Sequence, residues 1–240
     1  MSAVLYSVSG GAATLTLNRP ESRNALNLEM CEQLIAFARE ISSNPDMKLV
    51  VVRANGPAFC AGADLKERQG MDEAQVRERR MKGFAAYAAL EALPMPAIAV
   101  VQGPAVGSGC EIAGACDFIV ATPQASFRTP EALRGTVGAT QRLPRILGKR
   151  LAKDMMFTGR ELSAEEARQA GLISRLVSPA DLESEIEKIA ETILKAPQQS
   201  LRLAKRCIDQ GVELDPKGAL ETEIAAIEEQ LAAGSWMGKK

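Results

Sequence analysis

The sequence contains no histidine. That absence removes every mechanism built on an imidazole, including Ser-His-Asp and Cys-His nucleophiles, His-ligated zinc and the HExxH metalloproteases. Any proton transfer falls to carboxylates, Lys, Tyr or Cys. No apolar run approaches the ~20 residues that a membrane span needs. The opening residues, Met1-Ser-Ala-Val-Leu-Tyr6, lack the basic and long apolar stretches of a signal peptide. The five cysteines (31, 60, 110, 116 and 207) are odd in number and form no CxxC pair. They fit reduced thiols in a cytoplasmic protein rather than a disulfide scaffold, and they give little support to a metal site. Net charge is also missing. With 29 basic and 30 acidic residues the formal charge is −1, which argues against nucleic-acid binding through a strong positive field.

What remains is a chain of 240 residues, 46% apolar and 25% charged, enough for one large domain with a sizeable core. Val4 to Val8 and Thr14 to Leu17, joined by Ser9-Gly10-Gly11, predict a hairpin. Asn27 caps a helix with Met30, Leu34, Phe37, Ala38 and Ile41 on one face. Leu49 to Val52, Ala97 to Val101 and Asp117 to Ala121 read as strands. Met81, Phe84, Ala85 and Ala88 mark a helix between the first two. Alternating strands and helices imply an α/β fold with parallel strands. Beyond about residue 139 helix signals dominate. Ser163 to Glu166 is a capping box, Gly171 a stop and Ser178-Pro179 another start, with helices expected near 179–195, 198–210 and 217–232. The pattern divides the chain into an α/β core, 1–175, and a helical region, 176–240.

Several common motifs fail on their own letters. Gly107-Ser-Gly109-Cys-Glu-Ile112 lacks the third Gly of GxGxxG, no GxxxxGK[ST] occurs, and Val106 stands where GxSxG needs its first Gly. Two loops rich in Gly and Ala follow apolar strands: Ala58 to Lys66, and Gly103 to Glu111. Small residues there can bring backbone N–H groups onto a ligand oxygen, or simply let strand, turn and helix pack tightly. Glu111 and Glu131 follow different strands at one end of the expected sheet, where open α/β sheets place their sites. Two carboxylates there can divide acid and base roles if their surroundings split their pKa values. Taken singly, Glu111 reads better as a carboxylate made comfortable by a helix start, and Glu131 as a solvated loop residue.

The sequence resembles the enoyl-CoA hydratase/isomerase (crotonase) superfamily. The resemblance rests on Leu17-Asn-Arg-Pro20, Asn24-Ala-Leu-Asn27, Phe59 to Glu67, Gly103 to Asp117, Thr140-Gln-Arg-Leu-Pro144, Thr158-Gly-Arg160 and Ala167 to Leu172. It covers nearly the whole chain and is nearest to short-chain enoyl-CoA hydratases and the methylglutaconyl-CoA hydratase group. It implies a spiral of ββα units with a C-terminal helical region that builds trimers, often paired into hexamers. It implies an acyl-CoA thioester substrate of the kind found in fatty-acid β-oxidation, with coenzyme A as part of the substrate and no separate cofactor. By the motif, the Ala63 and Ser108 backbone N–H groups form the oxyanion hole, and Glu111 and Glu131 are the hydratase pair at the family spacing, 131 − 111 = 20. Ala61, Asp64, Leu65, Lys66 and Gly107 line the thioester and pantetheine, and Arg23, Ala25 and Lys66 approach the CoA nucleotide.

Three positions depart from the pattern. Ser108 replaces a usual Gly, the segment Glu131 to Thr140 is shorter than the relatives' Pro-Gly-rich loop, and Trp236 with two terminal lysines stands where relatives carry an aromatic, basic stretch. The implied activity is hydration of a 2-enoyl-CoA. An isomerase or specialised acyl-CoA lyase of the same superfamily is the alternative. A non-catalytic RNA-binding member is a third reading, resting on Lys66, Arg68, Arg77, Arg79, Arg80 and Lys82. The interleaved Glu67, Asp72, Glu73 and Glu78 make that run look like a solvated helix face.

Overall fold

The structure is a computed structural model that describes residues 2–234. Trp236 and the terminal lysines lie outside the described residues. The larger sheet has six strands in the order β1-β2-β3-β4-β6-β9. Strands β1 (Val4–Ser9) and β2 (Ala12–Leu17) form the expected hairpin. From β2 onward, through β3 (Leu49–Ala54), β4 (Ala97–Val101), β6 (Phe118–Ala121) and β9 (Arg175–Leu176), all neighbours are parallel. A second sheet of three short strands contains β5 (Pro104–Val106), β7 (Ser126–Arg128) and β8 (Leu162–Ser163).

The two sheets are built together. Strand β4 runs on through Gln102 and Gly103 into β5, and β6 runs on into β7. The chain after β3 reaches the same layer where Cys60 bridges Ala105, and the chain after β2 does so where Leu26 bridges Ala63. Each turn of the spiral thus supplies one long strand, one short extended piece and then a helix: α1 (Leu28–Ser43), α2 (Glu73–Glu91), α3 (Ser108–Gly114) or α4 (Arg142–Thr158). That repetition stacks the loop-to-helix junctions at one end of the sheet.

Side chains alternate across a strand, and here both faces are covered. Val50, Val52, Ala97, Ala99, Val101, Ile119 and Ala121 face the main core with the helices of the spiral. Leu49, Val51, Ile98, Val100 and Val120 face Leu182, Ile186 and Ile189 of α6 (Leu182–Lys195), after the short α5 (Ala164–Gln169). Two covered faces explain why β3 and β4 are apolar almost throughout. The last two helices, α7 (Gln198–Gly211) and α8 (Pro216–Ala232), pack mainly on each other. Helix α7 meets the core through polar contacts, Gln198 Nε2 donating to Met47 O and Lys205 pairing with Asp117.

Helix α1 follows its sequence closely. Asn27 Oδ1 accepts from the Met30 N–H at 3.0 Å, and Met30, Leu34, Ala38 and Ile41 are buried, with Phe37 against Tyr6. Helix α2 does not. Met81, Phe84, Ala85 and Ala88 are exposed, and the buried stripe is Arg79, Gly83, Ala86, Tyr87 and Leu90. Gly83 faces Leu26 beside its own helix neighbour Tyr87, and Arg79 is admitted because Glu67 neutralises it at 2.6 Å. Helix α6 begins at Leu182, later than Ser178-Pro179. The Ser178 hydroxyl instead binds the Asp181 carboxylate and N–H, forming a turn ahead of the helix. Gly171 stands just past α5 with φ +83°, the stop its sequence indicates.

Candidate active site

Two loops meet at α3. Val106 N–H donates to Cys60 O at 2.9 Å, and a Cβ on Gly109 would collide with that same carbonyl, so only glycine lets the first turn of α3 sit this close. In the bridge between Leu26 and Ala63, Leu26 N–H donates to Gly62 O and Asp64 N–H donates to Leu26 O. The N–H of Ala63 therefore lies on the other side of the strand, away from that pairing. Ser108 is the first residue of α3, where a helix leaves its N–H without an internal acceptor. Ala63 and Ser108 line one cavity of about 100 Å³.

Glu111 and Glu131 line it too. Glu111 sits one turn into α3, its side chain 6% exposed. Its Oε2 accepts from Arg142 Nη1 at 2.6 Å, while Oε1 is buried with no partner among the described residues. Glu131 begins the 3-10 turn Ala132–Arg134, and its Oε2 is likewise buried and unpartnered. Its other oxygen rests on Gly107. That residue has φ +51°, and any Cβ there would strike Glu131 Oε1. The solvated-loop reading of Glu131 is thus overturned, because its carboxylate is folded back against the start of α3. Burial pushes the Glu111 carboxyl above its ordinary value, with Arg142 opposing and Glu91 reinforcing the rise. Burial, together with the nearby Glu111, raises Glu131 as well, against the pull of Arg134 and Arg80. Two buried, unpartnered carboxylate oxygens on one cavity are acceptors without a donor.

The arginine that holds Glu111 is itself fixed from three sides. Arg142 donates to both oxygens of Glu91, at 3.1 and 2.5 Å, and its guanidinium lies 5.9 Å from the Tyr87 ring centroid. Burial pushes the Tyr87 phenol up, with the neighbouring Ser108 opposing the rise. On the far wall, Arg80 donates to Thr136 Oγ1 at 2.9 Å and to Val137 O, tying the short loop after Glu131 to α2.

The remaining expected residues flank the cavity without lining it. Ala61 N–H donates to Arg23 O at 2.9 Å, so Arg23 and Ala61 are neighbours; Arg23 is exposed and Ala25 half-buried. Leu65 and Lys66 are exposed on the same loop. The Asp64 carboxylate is occupied in folding that loop: it pairs with Arg19 at 2.9 Å and accepts from Lys66 and Glu67 N–H. Burial alone would raise its carboxyl, but these donors override it and the net shift is downward. The basic run does not form a single face. Arg79 is buried on Glu67, Arg68 and Arg80 line the cavity, and Lys82 pairs with Glu32 at 3.7 Å. Sequence reasoning missed Arg142 and Tyr87, and placed Arg80 only in the basic run. Arg142 lies inside a quoted motif, but nothing in its spacing announces Glu111 as its partner.

Comparison with known proteins gives the same picture. Residues 7–235 match the family model described as Enoyl-CoA hydratase/isomerase. YngF of Bacillus subtilis (strain 168) is 40% identical over 223 residues, covering 91% of this chain and 86% of that protein. The crotonyl-CoA hydratase of Syntrophomonas wolfei is 35% identical over 218 residues, 89% of this chain and 84% of that one. The 1.8 Å crystal structure of enoyl-CoA hydratase from Bacillus anthracis superposes with a TM-score of 0.91 at 36% identity, covering 94% of this chain and 90% of that one. With that breadth of match, the chain belongs to the enoyl-CoA hydratase/isomerase family.

Proposed function

We propose that the protein hydrates a 2-enoyl-CoA to a 3-hydroxyacyl-CoA, reversibly and by syn addition. The observation that carries this reading is the pair of unpartnered buried oxygens, Glu111 Oε1 and Glu131 Oε2, on the cavity that Ala63 and Ser108 also line. The thioester oxygen sits between the two backbone N–H groups. One water is held by the two glutamates, its hydroxyl adding to C3 while a proton is delivered to C2 on the same face. Negative charge then builds on the thioester oxygen, where one N–H donor contributes on the order of 3 kcal/mol to the transition state. Glu111, held by a cation, serves as the acceptor from water. Glu131, whose carboxyl is raised by burial and by Glu111, serves as the donor. Arg23, Ala25, Ala61, Asp64, Leu65 and Lys66 form the path along which the CoA portion lies.

A second reading draws on one observation. Arg142 occupies one oxygen of Glu111 and leaves Glu131 the freer carboxylate, which suits a single-carboxylate proton shuttle and hence double-bond isomerisation. Turnover of a 3-enoyl-CoA by Glu111→Gln would favour it. The homotrimer or hexamer is also a proposal. Ile208, Val212, Leu214, Leu220, Ile224, Ile227 and Leu231 of the α7–α8 region are all 45% or more exposed, an apolar surface a monomer rarely leaves uncovered. No helix among the described residues is long and apolar enough to cross a membrane. Five free cysteines support a cytoplasmic setting.

The test follows the conjugated-thioester absorbance of crotonyl-CoA with purified protein. Loss of absorbance in wild type, and its near absence in Glu111→Gln and Glu131→Gln, supports the reading. Wild-type rates in both folded variants contradict it.

A further inference from the structure

We infer that Arg142, braced by Glu91, is a positioning residue that holds one oxygen of Glu111, turns the other to the cavity, and so sets which of the two glutamates acts as base. The inference rests on the hydratase reading above but concerns a residue outside the reacting set. It stands first on geometry. Arg142 begins α4, Glu91 ends α2 and Glu111 lies in α3, so one guanidinium joins three elements at the cavity wall. Its Nη1 engages only Glu111 Oε2, and its Nε and Nη2 are spent on Glu91. A planar fork held at both ends leaves the Glu111 carboxylate little rotational freedom. Its remaining oxygen, Oε1, is the buried unpartnered one. Arg142 thus uses one oxygen and presents the other.

The position of Arg142 in the chain adds to the case. It follows the short segment between Glu131 and Thr140 after one residue, Gln141. The loop that carries Glu131 and the helix start that fixes Glu111 are thereby tied at one point.

The groups that face Glu111 are few and their effects oppose one another. From α4 comes Arg142, which lowers its carboxyl. From α2 comes Glu91, which raises it, and the neutral phenol of Tyr87. From the turn after β7 comes Glu131, a like charge, and within α3 the buried thiol of Cys110. Removing the cation must move Glu111 up. Removing the charge of Glu91 must move it down. Opposite shifts show that both charges act on Glu111, and the loss of kcat in Arg142→Met with partial recovery in Arg142→Lys separates positioning from a purely structural staple.

The experiment uses the full-length protein and two readouts. The first is the titration of the Glu111 side-chain carboxyl by 13C NMR in wild type, Arg142→Met, Arg142→Lys and Glu91→Gln. It needs no turnover and so stands whether or not crotonyl-CoA is a substrate. The second is the pH profile of crotonyl-CoA hydration. Arg142→Met is expected to raise the Glu111 titration and the acidic limb of kcat/KM by about one pH unit, and to lower kcat at neutral pH about 100-fold. Arg142→Lys is expected to recover part of both. Glu91→Gln, at a largely exposed side chain, keeps the fold and is expected to move the Glu111 titration down. An unmoved Glu111 titration in both Arg142→Met and Glu91→Gln overturns the inference. Inactive wild type with the opposed NMR shifts present would overturn the hydratase reading and leave the positioning role standing.

Discussion

At the scale of single residues, the site is made by what is left out. Gly107 carries no Cβ, and the space is used by the Glu131 carboxylate. Gly107→Ala is therefore expected to displace Glu131 and strain a backbone at φ +51°, lowering kcat by about 100-fold, the scale of lost acid–base catalysis. Steady-state kinetics with a folded-state check by circular dichroism measures it, and a wild-type kcat would refute the packing described here. The two glutamates also carry a stability cost. A carboxyl whose folded value lies above its unfolded value of 4.5 binds more protons in the native state, so it weakens the fold as pH rises through that value. Glu131→Gln should thus raise Tm at pH 7 relative to wild type, with the gain vanishing toward pH 4. Calorimetry across that range tests the sign, and a lower Tm for the variant at pH 7 would show that Glu131 is better satisfied than its orphan oxygen indicates. Arg142 prevents the same simple expectation at position 111, since Glu111→Gln would leave a half-buried cation short of a partner.

At the scale of elements, α6 is what makes the sheet two-faced. Ile189 is 4% exposed and packs on Leu49, Val51 and Ile98 of the sheet's second face. Ile189→Ala is expected to cost about 2–5 kcal/mol of stability, read by urea denaturation, while kcat of the folded protein stays unchanged because α6 lies opposite the site. A cost below ~1 kcal/mol would mean that α6 is not part of the cooperative core. Elements of this kind were legible where pattern and packing agree. Helix α1 has an Asn cap and an apolar stripe, and the hairpin has its glycine turn. Helix α2 was read in the wrong phase because its buried stripe contains Gly83 and Arg79, which no apolar template selects, while Met81 and Phe84 face outward. Strands β5, β7, β8 and β9 are two or three residues long, too short for a period of two to show. Yet those pieces bring Cys60, Ala63 and Val106 together.

At the scale of the whole molecule, the spiral explains why chemistry gathers at one end. Each turn passes from the long strand into a short extended piece and a helix start, and successive turns stack those junctions. Ala63, Ser108 and Glu131 come from three different turns, which is why spacing alone left Glu111 and Glu131 as ambiguous carboxylates and why the family resemblance was needed to pair them. The exposed apolar residues of α7 and α8 belong to this scale as well. Replacing Ile208 and Leu220 together by Asp is expected to shift the protein from an oligomer to a monomer in light scattering. A monomeric wild type would remove the proposal that this hairpin is an interface.

In the proposed mechanism two glutamates hold one water against an activated thioester. Crotonyl-CoA absorbance loss in wild type beside Glu131→Gln, at equal folded concentration, tests it most directly. Rapid loss is expected in wild type and a rate at least about 100-fold lower in the variant. Equal rates in the two proteins would contradict the mechanism.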